Sequence, residues 1–460
     1  MALIKSISGI RGTIGGKSGE NLTPKDIVEC AAAFGHWAVR GKTNPKIVIG
    51  RDARISGEMV SQLVVNTLLS LGIDVIDLGL STTPTVEIAV PEENAAAGII
   101  ITASHNPKHW NALKFVNHKG EFISAQDGQE VLNLIDSGEI EYAPLKDFGI
   151  LCNDDTYIKK HIDKILRLKL VDREAIRAKR FKIVVDCINS TGALSIPPLL
   201  KKLGCEFELI NENPTGYFAH NPEPLAENLT ELSTKVVELG ADLGIAVDPD
   251  VDRLAFVSET GAMFGEEYTL VAIADYILGI TPGNTVSNLS STRALRDVTE
   301  KHGMNYQAAA VGEVNVVTKM KETNAIIGGE GNGGVIFPEL HYGRDALVGI
   351  GLFLSHLAKT GLSVSKLKKT YPNYTISKNK IQLTPEIDVD LILNKLKEQY
   401  ANEELNTIDG LKINMGTDWV HLRKSNTEPI IRIYSESSSS KAANKLAAMI
   451  QKDVDKILKG

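Results

Sequence analysis

Apolar and polar positions follow two alternating rhythms along this chain. Short unbroken apolar runs recur, among them Ile47-Val48-Ile49, Ile99-Ile100-Ile101, Ile183-Val184-Val185 and Ile245-Ala246-Val247. Runs of that length read as strands buried on both faces. Between them lie longer segments with helical spacing. The first third predicts a helix starting at Thr23-Pro24, a strand over 46–52, a helix over 56–71, a strand over 73–78 and a short helix over 84–90. A further strand then ends at Ser104, and a second apolar segment, 112–116, follows. The pattern restarts with a strand at 181–186, a helix at 193–203, a strand at 205–210, a helix at 229–239 and a strand at 242–247. A third round covers strand 285–289, helix 293–302, strand 306–311, helix 314–321 and strand 325–327. Strands that alternate with helices predict parallel, two-sided sheets. After about residue 370 strands come in succession (374–383, 411–415, 419–423, 430–435), with helices at 389–399 and 440–458. That change marks an α+β domain.

The expected fold class is therefore α/β: three similar α/β domains with mixed, mainly parallel sheets plus a C-terminal α+β domain. The expected boundaries are 1–150, 151–256, 257–368 and 369–460. Linkers are expected near 145–155, 255–265 and 365–372.

Composition narrows the function classes. The chain has 460 residues, 43% hydrophobic and 23% charged, which is ordinary for a globular protein of several domains. A net charge of −7 without a basic tract argues against general nucleic-acid binding. An anionic substrate would need local Arg and Lys clusters. No apolar run approaches the roughly 20 residues of a membrane span. Residues 1–12 carry no cleavage-type signal. Cys30, Cys152, Cys187 and Cys205 are widely spaced, so no disulfide framework or thiolate metal site is expected, and a cytoplasmic location is.

Candidate chemistry sits where strands stop. The run 99–101 ends in Thr102-Ala103-Ser104-His105-Asn106-Pro107, which presents a serine and a histidine at the carboxyl edge of a sheet. Open α/β sheets put their ligands at that edge. Lys114, inside Ala112-Leu113-Lys114-Phe115-Val116, needs an anionic partner. Arg11 lies between Gly9 and Gly12 in an expected loop. Strand 242–247 ends in Asp248-Pro249-Asp250-Val251-Asp252-Arg253. Three carboxylates this close repel one another without a cation, and an all-oxygen set suits Mg²⁺. Gly328-Gly329-Glu330-Gly331-Asn332-Gly333-Gly334 is not a nucleotide P-loop, and its Glu and Asn suit neutral hydroxyls or an amine. Arg423-Lys424-Ser425-Asn426-Thr427-Glu428-Pro429, with Arg432 beyond it, offers the donors of a phosphate cup. His36, His109, His118, His161, His302, His356 and His421 have no informative context. His341, in Glu-Leu-His-Tyr-Gly-Arg, is a secondary candidate.

These four motifs, in this order, resemble the α-D-phosphohexomutase superfamily over essentially the whole chain. Thr-Ala-Ser104-His-Asn-Pro is similar to its phosphoserine motif, and the loop 248–253 to its magnesium loop. Glu330 and Asn332 are similar to its sugar loop. Arg423, Ser425, Asn426, Thr427 and Arg432 are similar to its phosphate loop, and segment 216–224 is similar to a further stretch. The resemblance implies four domains around a central cleft. It also implies a soluble enzyme, monomer or homodimer, acting on a small-molecule sugar phosphate. Ser104, His105, Lys114 and Arg11 are its implied catalytic residues. Ser104, Asp248, Asp250 and Asp252 are the implied Mg²⁺ ligands. Arg253, Glu330, Asn332 and the phosphate loop are the implied substrate contacts. The implied reaction interconverts hexose 6-phosphate and hexose 1-phosphate through a phosphoserine and a hexose 1,6-bisphosphate. Val311-Gly312-Glu313 and Asn332 favour glucosamine phosphate, with phosphomannomutase/phosphoglucomutase activity as the alternative. A metal-dependent sugar phosphatase and a non-catalytic sugar-phosphate sensor are alternatives of other classes. Many members carry a histidine where this chain has Gly334, which leaves the general base open between Lys114 and His105.

Overall fold

The structure, a computed structural model, describes residues 3–6, 9–41, 45–382, 388–424 and 430–459. Its internal contacts divide the chain into two units, residues 1–276 with 332–367, and residues 277–331 with 368–460.

The first unit holds a seven-stranded mixed sheet. Its strand order is Leu3–Ser6, Gly9–Thr13, Trp110–Asn117, Ala97–Ile101, Lys46–Arg51, Asp74–Leu80, Leu151–Asn153. The strands from Ala97–Ile101 to Leu151–Asn153 run parallel, and the first three join by antiparallel pairing. Alternate side chains feed two cores. Ile47, Ile49, Ile99 and Ile101 pack with Leu113, Phe115 and residues of helices Pro24–Ala38 and Gly57–Ser70. Val48, Ile76, Leu78 and Ile100 pack on Val86, Ala89 and Val90 of helix Thr83–Glu92. Each such side chain, fully buried, is worth about 1.5–3 kcal/mol. A second sheet has the order Leu254–Ser258, Leu243–Val247, Lys182–Asp186, Glu206–Ile210, with only the first pair antiparallel.

In the second unit, strands Tyr306–Ala309, Asn284–Asn288 and Ala325–Glu330 pair in parallel, in that order. Its other sheet is antiparallel: Thr375–Gln382, Ile430–Ser437, Asp418–Lys424, Leu411–Met415, Glu404–Asn406. Helices Val389–Gln399 and Ser440–Lys459 supply residues to the core on that sheet. The fold class is the mixed α/β arrangement with a C-terminal α+β element that the pattern predicts. Among the described residues, no helix is long and apolar enough to cross a membrane.

Several local expectations change. Residues 9–13 form a strand rather than a loop around Arg11. Gly9 is needed there because a Cβ would lie 1.9 Å from the Leu113 carbonyl oxygen, at φ +135°. The expected linker near 255–265 begins inside the buried strand Leu254–Ser258. Helices Ala125–Ser137, Tyr157–Ile165, Glu266–Leu278 and Ala346–Thr360 lie outside the expected set. Leu383, the expected end of the strand from 374, lies outside the described residues.

Candidate active site

The serine turn is built by its neighbours along the sheet edge. After strand Ala97–Ile101, the Thr102 hydroxyl donates to Asp52 Oδ2 at 2.6 Å and accepts from the Ser104 amide at 2.9 Å. Ser104 itself takes φ +48°, a left-handed conformation that a non-glycine residue holds only when its surroundings enforce it. The enforcement comes from Arg54, which is 1% exposed. Its guanidinium donates to the carbonyls of Asn106 at 2.6 Å, Pro107 at 2.8 Å and Trp110 at 2.9 Å, and to that of Ser104. Asp52 neutralises Arg54 at 3.1 Å.

The aspartate loop follows strand Leu243–Val247, and its turn places Val251 at φ +62°. This is costly for a β-branched residue. Asp248, Asp250 and Asp252 are all fully buried. The Ser104 hydroxyl donates to Asp248 Oδ2 at 2.6 Å across 144 residues of sequence. Asp248 Oδ1 accepts from the amides of Asp252 and Arg253, each at 3.1 Å. Asp250 Oδ2 accepts from the Thr83 hydroxyl at 2.6 Å and from Lys114 Nζ at 2.7 Å. Asp252 Oδ2 pairs with Arg344 at 2.6 Å. One oxygen from each aspartate lies within 4.8 Å of the others. Among the described residues, Asp250 Oδ1 and Asp252 Oδ1 are buried without a hydrogen-bond partner. Three convergent carboxylates with orphaned oxygens fit a hard divalent cation.

Charge in the site is finely opposed. Burial, then Asp252 and Asp250, push the Asp248 carboxyl well above the usual carboxylate range. Burial works the same way on Asp250, but Lys114 outweighs it and holds that carboxyl low. Burial pulls the Lys114 ammonium down, and the carboxylates of Asp250 and Asp252 more than restore it, so Lys114 is firmly charged. His105 goes the other way. Burial, then Arg253 and Arg11, keep its imidazole well below the ordinary value, and its Nδ1 lies 3.4 Å from the Ser104 hydroxyl. Its ring therefore resists carrying a charge in this site. Burial and the nearby Arg253 also push the Arg11 guanidinium down. Arg253 pairs with Glu223 at 3.2 Å, which ties the loop 211–224 to the site.

Ser104, His105, Lys114, Arg11, Arg253 and the three aspartates are thus brought together. Asn332, in the first unit, accepts from the Gly334 amide at 3.1 Å. A side chain at Gly334 would lie 2.3 Å from Arg344 Cδ, so the arginine stem fills the space that a histidine there would need. In the second unit, Glu330 Oε1 accepts from Asn288 Nδ2 at 2.8 Å and from the Gly312 amide at 3.1 Å. Arg423 and Arg432 stand directly opposite one another on neighbouring antiparallel strands. Two like charges so placed are unfavourable without an anion between them. Ser425, Asn426 and Thr427 lie outside the described residues.

Arg54, Thr83 and Arg344 were missed from the sequence. For Arg54 a signal existed, since Asp52-Ala53-Arg54 follows an apolar strand just as Ser104 and Asp248 do. Thr83 and Arg344 carry no such mark.

Comparison with known proteins places this arrangement. Successive segments match the family description Phosphoglucomutase/phosphomannomutase: alpha/beta/alpha domain I over residues 3–141, domain II over 159–261, domain III over 265–374 and the C-terminal domain over 382–452. The chain belongs to the phosphoglucomutase/phosphomannomutase family. It is 37% identical over 98% of its length to a phosphoglucomutase/phosphomannomutase of Thermococcus kodakarensis, covering 99% of that protein. It is 34% identical to a probable phosphoglucosamine mutase of Methanopyrus kandleri, over 95% of each chain. A crystal structure of a phosphoglucomutase/phosphomannomutase family protein from Burkholderia thailandensis superposes with a TM-score of 0.84. That pair is 27% identical and covers 99% of this chain and 97% of the other.

Proposed function

We propose that this chain interconverts hexose 6-phosphate and hexose 1-phosphate, with glucosamine phosphate as preferred substrate and Ser104 as the phosphoryl carrier. The observation that carries the reading is the 2.6 Å contact between the strained, buried Ser104 and Asp248, which sets a nucleophile against a three-carboxylate cradle.

In this reading Asp248, Asp250 and Asp252, with the Ser104 oxygen, hold one Mg²⁺. When bound, the ion withdraws negative charge from the phosphoryl oxygens. The chain's own residues do the rest. Arg54 fixes the backbone of the serine turn. Arg11, Lys114 and Arg253 place positive charge around the transferring group. This reading assigns His105 as the proton acceptor for the sugar hydroxyl, because Lys114 is held charged by two carboxylates and has no lone pair to offer. The phosphorus–oxygen bond to Ser104 breaks as the bond to that hydroxyl forms. The resulting 1,6-bisphosphate turns end for end, and its other phosphate returns to Ser104. Arg423 and Arg432 are the charged part of a cup that accepts either phosphate. Asn332 and the Val-Gly-Glu segment at 311–313 support an amino sugar. So does the name of the Methanopyrus relative, whereas the Thermococcus relative supports glucose and mannose phosphates as the alternative.

The test is a mutase assay with Mg²⁺ and a trace of hexose bisphosphate, comparing glucosamine, mannose and glucose phosphates by kcat/KM. A clear preference for glucosamine phosphate is expected. A preference for mannose or glucose phosphate overturns the substrate assignment only. Release of free phosphate without interconversion overturns the mutase reading. Ser104→Ala should lower kcat by about 10³-fold or more, as loss of a nucleophile does.

A further inference from the structure

Behind the aspartate loop, still within the first unit, lies a second cluster of ligand-type side chains that the mutase chemistry does not use. His161 sits on helix Tyr157–Ile165, and Asp345 caps helix Ala346–Thr360. His341 lies four residues before Asp345. His161 and Asp345 are fully buried, and 11% of the His341 side chain is exposed. Both imidazoles turn the same atom to the same oxygen. His161 Nε2 is 2.8 Å and His341 Nε2 is 3.3 Å from Asp345 Oδ2. The other carboxylate oxygen, Oδ1, is committed to the helix cap, accepting from the Leu347 and Val348 amides.

The far side of each ring faces one helix, Thr83–Glu92. His161 Nδ1 meets the Thr85 hydroxyl at 2.9 Å, and His341 Nδ1 meets Glu87 Oε2 at 3.4 Å. Gly343 permits the second contact, since a Cβ there would lie 1.9 Å from Glu87 Oε2. Rings held at Nδ1 by a hydroxyl or a carboxylate while Nε2 converges on a point are how metal-binding histidines are oriented.

We propose that His161, His341 and Asp345 form a second metal site, distinct from the three aspartates, that takes zinc. Two imidazoles and one carboxylate suit zinc over magnesium. Neighbouring ligand atoms on a tetrahedral zinc stand about 3.3 Å apart for bonds near 2 Å. The observed separations of 2.8 and 3.3 Å sit close to that value. The site would pin the segment from His341 to Asp345. Arg344, within it, reaches Asp252 of the other centre.

The probe is cobalt(II), added to metal-free full-length protein in excess Mg²⁺, which keeps the aspartate cradle occupied. Expected is a saturable visible absorption of a four-coordinate cobalt centre at one equivalent per chain, reversed by added zinc. Asp250→Asn should retain it, and His161→Gln and His341→Gln should lose it. Thr85→Val, which removes only a ring-orienting partner, should weaken binding about 10–100-fold. The proposal is overturned if wild type shows no such absorption or if both histidine variants keep it. Should those variants fail to fold, X-ray absorption on the zinc-loaded wild type decides instead. Two imidazole ligands support the site, and none overturns it.

Discussion

Lys114 shows how one residue can serve two masters in this site. Its ammonium neutralises Asp250 at 2.7 Å and Asp252 at 3.6 Å through their Oδ2 atoms, two of the three carboxylates whose charge a divalent ion would also neutralise. Lys114→Met therefore separates stability from metal affinity. Without magnesium, the variant leaves buried carboxylates short of a partner, and a loss of about 3–5 kcal/mol is expected. With magnesium, most of that loss should return, because the ion takes over the neutralisation. Removing the competitor should also make magnesium bind at least as tightly as in wild type, while turnover falls for want of charge near the phosphoryl group. Chemical denaturation with and without Mg²⁺, together with magnesium titration calorimetry, measures both quantities. Weaker magnesium binding in the variant would show that Lys114 supports the metal rather than competing with it.

Elements carry these residues to their places, and the loop over 211–224 is the clearest case. The strand Lys182–Asp186 ends at a buried carboxylate, and His220 Nε2 donates to Asp186 Oδ2 at 2.9 Å. Asn189 Nδ2 donates to the Tyr217 carbonyl at 2.8 Å, and Glu223 then reaches Arg253. Burial pulls the His220 ring down, but the Asp186 hydrogen bond and charge outweigh it and raise it above its ordinary value of 6.5. A raised folded-state value means the contribution is complete below pH 6.5 and is lost as pH rises through the raised value. Wild type should thus lose stability relative to His220→Gln over that interval, in melts taken at successive pH values. Parallel curves for the two proteins would contradict it. The same elements show what a single sequence can yield. Strands such as Ala97–Ile101 were legible because unbroken apolar runs stop at polar turns, and the chemistry lies at those stops. Helix Ala346–Thr360 was not, because it is buried nearly all round and has no polar face to set a period. The strand Gly9–Thr13 was hidden by its glycines, whose reason is the close Leu113 carbonyl. Arg54 and Thr83 act on partners up to 53–56 and 167 residues away, distances over which local pattern carries no information.

At the scale of the whole molecule, the proposed reaction divides its tasks between the two units. Ser104 and the aspartates belong to the first, and Arg423, Arg432 and Glu330 to the second. In the proposed reaction the first set serves the transferring phosphoryl group, and Arg423 and Arg432 serve the phosphate that waits its turn. Arg423 has a buried Nε without a hydrogen-bond partner among the described residues, and it faces Arg432 across the strand pair. Both features ask for an anion. Arg423→Ala should remove one charge-assisted contact to that phosphate, worth about 1.5–3 kcal/mol, and raise KM about 10–100-fold. It should leave unchanged both the magnesium-dependent rise in melting temperature and the phosphate that Ser104 carries after reaction with hexose bisphosphate at saturating concentration. Asp250→Asn should give the converse: no magnesium-dependent rise, with sugar-phosphate binding nearly unaltered in equilibrium dialysis. The two variants together test the division. If Arg423→Ala abolished the magnesium response, the distal phosphate and the metal would be one site rather than two. An exchange of phosphates between the ends of one sugar would then have no separate place to hold the waiting group.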